Sequence, residues 1–231
     1  MKRAEGSLLY LDIIMPMLCD TLSSSKPSKA SELRAIIAQL PQGVDGMYQY
    51  LVREASDPVQ HPETGPLVPK VLSRMVNLYD PPSLAELSML AGISEQETVA
   101  VLDTLSSLLI LRGGGQIVQV KHRSFTEFLQ DPRQAKVLSV ESPNVAHMEI
   151  AKILLRELKA SLARPSGRMT ALGARAVKSA MQHARAAASE ALVGEVMGSL
   201  RNAKSALGSS LSGLRKKIGD SVQRRAKRKL F

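Results

Sequence analysis

The sequence predicts a mainly α fold: a helical connector, a winged helix-turn-helix with a short β-hairpin, then C-terminal helices. Three observations predict it. Apolar residues recur at three-to-four spacing through most of the chain, serine caps and Pro or Gly stops punctuate those runs, and Ile117-Val118-Gln119-Val120-Lys121 alternates as a strand does. At 231 residues, 44% of them hydrophobic, the chain can hold one large or two small domains with a buried core. Composition places the connector at 1–61, the winged-helix domain at 62–131, a C-terminal helical segment at 132–200 and a basic tail, amphipathic or disordered, at 201–231.

In the connector, residues 7–22 carry Leu8, Leu11, Met15 and Leu18 at helical spacing, with Pro16 as an internal kink or break. Residues 23–28 are a linker by composition. Ser31 is placed to cap a helix bearing Leu33, Ile36, Ile37 and Leu40, which Pro41-Gln42-Gly43 stops; Asp45 is placed to cap the next, with Met47, Tyr48, Leu51 and Val52. Three prolines and a glycine make 57–66 a loop.

The stretch 67–131 is the most informative. A helix with Val68, Val71, Leu72, Met75 and Leu78 ends at Asp80-Pro81-Pro82, and Ser83 caps a short second helix with Leu84, Leu87 and Leu90 that Gly92 ends. Ser94 and Glu97 form a capping box for a third, running to Leu109 through Val101, Leu102, Leu105 and Leu108. Ile110-Leu111-Arg112, the turn Gly113-Gly114-Gly115 and the alternating run 117–121 complete a hairpin. Three helices with a tight turn between the last two, then a hairpin, are the winged helix-turn-helix order. Ser124 is then expected to cap a helix with Phe125, Phe128 and Leu129, and Ser142-Pro143 to start one with Val145, Ile150, Ile153, Leu154 and Leu158. Residues 168–200 are Ala-rich and helical by propensity, with few large apolar anchors.

The net charge of +10 suggests a polyanion, but its distribution does not favour the fold as the binder. Residues 201–231 hold ten Lys and Arg against Asp220 alone, so the other 200 residues carry +1. The third helix, which would enter a DNA groove, contains Glu95, Glu97 and Asp103 and no Lys or Arg. The wing adds Arg112, Lys121 and Arg123. Aromatics are 3% of the chain with no Trp, which leaves little for base stacking. The one cysteine, Cys19, excludes an intrachain disulfide and reads as a small buried apolar residue. The four histidines lack metal-binding spacing; His147 and His183 are expected on polar or interface faces, and His61 in a loop. No phosphate loop, dinucleotide fingerprint or nucleophile elbow is present, and the triple glycine precedes a strand, without the helix N-terminus an anion site needs. No apolar run reaches transmembrane length, and Asp12 interrupts the stretch that would otherwise imitate a signal peptide.

Four motifs in order point to a family. Lys121-His122-Arg123-Ser124-Phe125-Thr126-Glu127-Phe128-Leu129 resembles the H-x-S-F-x-D-F-L segment of NACHT-type signal-transduction ATPases, the STAND class, especially members that continue into WD40 or ankyrin repeats. Leu40-Pro41-Gln42-Gly43-Val44-Asp45-Gly46-Met47-Tyr48 resembles their LP-x-G-L-x-x-x-Y helix, and Ala4-Glu5-Gly6-Ser7-Leu8-Leu9-Tyr10 their A-x-G-x-F-L-Y helix. Ser83-Leu84-Ala85-Glu86-Leu87 with residues 102–109 resembles L-x-E-L followed by L-x-x-L-x-S-L-L. The resemblance covers residues 4–158 and implies the helical and winged-helix region that follows the nucleotide-binding core in these switches. It also implies that His122 lies where the related histidine reads the ADP phosphate. The phosphate loop and magnesium site would precede Met1, so the expectation is a non-enzyme with no cofactor, binding ADP or ATP only if missing sequence or another chain supplies the core. After residue 160 the likeness fades.

The expected function is a regulatory or protein-interaction module with protein partners. The alternative uses the tail, where Leu207, Leu211, Leu214, Ile218 and Val222 recur at helical spacing, to bind nucleic acid or anionic membrane through Arg215, Lys216, Lys217, Arg224, Arg225, Lys227, Arg228 and Lys229. The expected location is cytoplasmic, with nuclear import suggested by the cluster 224–229.

Overall fold

The computed structural model describes residues 8–25, 34, 37–38, 40–114, 117–163 and 170–202. The fold is mainly α-helical with one two-stranded antiparallel hairpin among the described residues. Two compact units divide the chain, residues 1–146 and 147–231.

In the first unit, α1 (Leu8–Ser25) runs uninterrupted through Pro16. It buries Tyr10, Ile13 and Ile14, with Leu9 and Leu18 packed beside them, and leaves Leu8, Leu11 and Met15 exposed. The expected face is therefore the wrong one, apart from Leu18. Residues 8–15 are apolar almost all round the helix, so spacing alone does not choose a side. Tyr10 helps to fix it, because its ring is buried while its hydroxyl donates to the Pro41 carbonyl at 2.7 Å. Cys19, expected inside, is exposed. The helix expected after Ser31 lies mostly outside the described residues.

Helix α2 (Gly43–Ala55) begins two residues before the expected cap. Asp45 sits in the first turn, where its charge suits the helix N-terminus. After a 3₁₀ turn at Gly65–Leu67 come α3 (Val68–Val76), α4 (Leu84–Ala91) and α5 (Glu95–Thr104). Ser83 with Glu86, and Ser94 with Glu97, form reciprocal capping boxes. Gly92 closes α4 at φ +64, a left-handed conformation that permits the tight turn into α5. Helix α5 ends at Thr104, earlier than expected. The Thr104 hydroxyl bonds back to the Val101 carbonyl at 2.8 Å and residues 105–108 turn, so Leu109 opens a strand instead of closing a helix.

That strand, β1 (Leu109–Arg112), pairs with β2 (Ile117–Val120) around Gly113 and Gly114, both at positive φ. Ser83 bridges Ile117, and the Val118 amide donates to the Pro82 carbonyl at 2.9 Å. The segment before α4 thus lies along β2, tying the hairpin to the helices in a winged helix-turn-helix.

Helix α6 (Arg123–Gln130) is preceded by His122 at the cap position. Ser124 lies within the helix and does not cap it; its hydroxyl meets that of Tyr48 at 2.9 Å. The rings of Phe125 and Phe128 pack on Tyr48 with centroids 5.0 and 5.4 Å away. An additional short helix, α7 (Pro132–Val137), follows where the sequence signals only a stop, because Asp131 caps it and Pro132 takes its first position. On α3, Arg74 is 3% exposed and holds Glu141 through its guanidinium, while its Nε donates to the Leu90 carbonyl at 3.3 Å. Val145, expected in the core, is exposed near the start of α8 (Pro143–Ala163).

In the second unit, α8 contributes Ile150, Ala151, Leu154, Leu155 and Leu158 to the buried set. Helix α9 (Ala171–Ala186) adds Leu172 and the four-spaced Ala176, Ala180 and Ala184. A further helix among the described residues, α10, covers 190–202 and buries Leu192 and Val196. Alanines at this spacing form a smooth stripe on one helix face.

Candidate functional site

Helix α5 is the element that a DNA-reading winged helix would insert into the major groove. Its capping box and the burial of Thr98, Val101 and Leu102 turn Glu95, Gln96, Glu97 and Asp103 to solvent. Hydrogen bonds from Ser94 hold the Glu97 carboxyl below its ordinary range, so the face stays anionic. The wing presents Arg112, Lys121 and Arg123, the last paired with Glu127 at 3.0 Å. Carboxylates on the leading helix repel a phosphate backbone, opposing the attraction of these few wing cations.

His122 sits at the turn from β2 into α6, half exposed, with its Nε2 3.4 Å from Asp12 Oδ2 on α1. A phosphate arriving at that nitrogen meets a carboxylate already beside it. Arg215, Lys216, Lys217, Arg224, Arg225, Lys227, Arg228 and Lys229 lie outside the described residues. Gly113 and Gly114 form the hairpin tip, with a strand and not a helix N-terminus after them.

Two features are not visible in the sequence. On α1, the exposed Leu8, Leu11, Met15 and Cys19 are spaced three, four and four residues apart and make one stripe facing solvent, with Leu8 81% exposed. In the second unit, His183, expected on a polar or interface face, is completely buried, and its Nδ1 lies 2.8 Å from Nδ1 of His147 on α8. One ring donates and the other accepts, which requires the accepting ring to be neutral. Burial, with His147 and Arg175 nearby, pushes His183 down to about 3, and burial also lowers His147. Helical spacing within either segment says nothing of how α8 and α9 align, so no sequence signal pairs these two histidines.

Among the described residues no group of three or more His, Cys, Asp or Glu could hold a metal ion, and no helix is long and apolar enough to cross a membrane. Compared with family models, with curated proteins and with solved structures, the chain matches none of them.

Proposed function

We propose that the chain is a non-catalytic regulatory or protein-interaction module, akin to the helical and winged-helix part of a NACHT-type signalling ATPase and acting in the cytoplasm. The observation that carries this reading is the exposed face of α5, whose Glu95, Glu97 and Asp103 oppose a polyanion. The apolar stripe of α1 supports it, since exposed apolar patches bordered by charge mark protein contacts. In this reading the winged helix packs on a partner protein, and the basic tail adds a second, electrostatic contact.

A second reading is favoured by the tail's share of the charge, nine of the ten net positives. There the tail binds nucleic acid or anionic lipid, with nuclear entry through 224–229, and the winged helix is its scaffold. Duplex DNA and phosphatidylserine vesicles, titrated across ionic strength, separate the two readings. On the first reading the full chain is expected to bind neither more than weakly; steeply salt-dependent binding by the full chain that is lost in the chain ending at residue 200 establishes the second. DNA binding retained by that shorter chain overturns the assignment of α5 to protein contact. Nucleotide sensing by His122 has its own assay: ADP is expected to leave the melting temperature of the chain unchanged, and a rise of several degrees would restore His122 as a nucleotide contact.

A further inference from the structure

The hairpin has one covered edge and one open edge. The Lys121 amide donates to the Leu108 carbonyl at 2.9 Å, which marks the pair 108/121 as hydrogen-bonded; by alternation 110/119 and 112/117 are too. Leu109 and Leu111 therefore turn their backbone groups away from β2. The same alternation turns the Val118 amide outward on β2, where Pro82 accepts it at 2.9 Å. On β1 the Leu109 amide is taken by the Leu105 carbonyl at 2.9 Å. Leu109 is buried at 3% exposure, so the edge is open at Leu111, whose amide and carbonyl face outward with no backbone partner among the described residues. Proteins ordinarily blunt such an edge with a charge, a proline, a bulge or a short strand. Strand β1 has four residues and one charge, Arg112 at its end, and neither proline nor bulge interrupts it at Leu111.

Beside this edge lies a depression of about 100 Å³ lined by Leu102, Leu109, Ile110 and Leu111, with the exposed Asp103 and Ser106. It offers an apolar seat for one side chain and a carboxylate next to it. No ion pair engages Asp103 among the described residues. Free main-chain groups flanked by a side-chain pocket are what strand addition needs: the ladder supplies affinity and the pocket supplies selection.

We propose that the outer edge of β1 takes an extended segment of a partner protein as an added strand, with an aliphatic side chain in the depression and a lysine or arginine against Asp103. This deepens the interaction-module reading and rests on it. The test uses the full chain and a short fluorescein-labelled peptide of alternating valine and lysine. Binding is expected to protect the Leu111 amide from hydrogen exchange. Leu111→Pro removes an outward amide that β2 does not use and is expected to weaken binding about fivefold. Asp103→Lys alters only an exposed side chain; it is expected to weaken the lysine peptide and to favour one with glutamate in place of lysine. A melting temperature equal to that of the parent chain shows that each variant is folded.

Three results overturn the proposal: no binding, binding that neither folded variant alters, or a Leu111 amide already protected in the free chain. The last would assign the edge to a second copy or to another segment of the same chain. Failure here leaves the interaction-module reading standing, because that reading is judged by the polyanion titrations.

Discussion

His183 is buried with its Nδ1 against that of His147, and the two imidazoles share one hydrogen. Its folded pKa, pushed down to about 3, lies below the ordinary 6.5 because burial and the nearby His147 and Arg175 disfavour the cation. Between these values the unfolded chain binds more protons than the folded one. Stability is therefore full above pH 6.5 and falls as the pH drops toward 3. Thermal melts from pH 7.5 to 5 are expected to show this decline, and His183→Gln to flatten part of it. An unchanged slope in that variant would remove the histidine pair as its source. Arg74 is a second buried polar group, its guanidinium held by Glu141 and the Leu90 carbonyl. Glu141→Ala strands the guanidinium and is expected to cost about 3 kcal/mol in urea unfolding. Neither pair was legible in sequence. The partners stand 36 and 67 residues apart, and no periodicity relates them.

The starts of α4 and α5 and the stop at Gly92 were legible because the chemistry that makes them is local. Asp45 and Ser124, by contrast, lie inside the helices they were expected to cap, and α5 stops at Thr104. Ser94 and Glu97 are three residues apart and satisfy each other's backbone amides as their spacing predicts. Ser94→Ala is expected to cost about 1 kcal/mol, read as a lower melting temperature. Two other ends are closed less favourably. After α7 and α9 the chain turns through Ser139 and Ala188 at positive φ, with the Val140 amide reaching the Ala135 carbonyl at 2.9 Å and that of Ser189 reaching Ala184 at 3.4 Å. A side chain with a Cβ is strained there, so Ser139 and Ala188 gave no helix-stop signal of the kind Gly92 did. The choice of face was harder to read than the ends. Helix α1 offered two apolar sides, and contacts with Pro41 and α2, not its own pattern, decided between them. The Ala-rich stretch likewise hid its packing: Ala176, Ala180 and Ala184 bury fully without one large side chain.

For the molecule as a whole, charge and fold are separate properties. A body of near-neutral charge carries an acidic α5, and nine of ten net positives lie beyond residue 200. The helix-helix-helix-hairpin order was readable from caps, stops and alternation. The open edge of β1 was not, because which backbone groups point outward depends on register, and register is fixed by the pairing of 109–112 with 117–120. The apolar stripe of α1 was hidden for a related reason, being visible only once the opposite side of the helix was known to be covered. Within that stripe sits Cys19, the sole sulfhydryl in 231 residues and an exposed one. A maleimide fluorophore would thus label each molecule once, at a known helix, and a change in its emission on mixing would report that side of α1 becoming occupied.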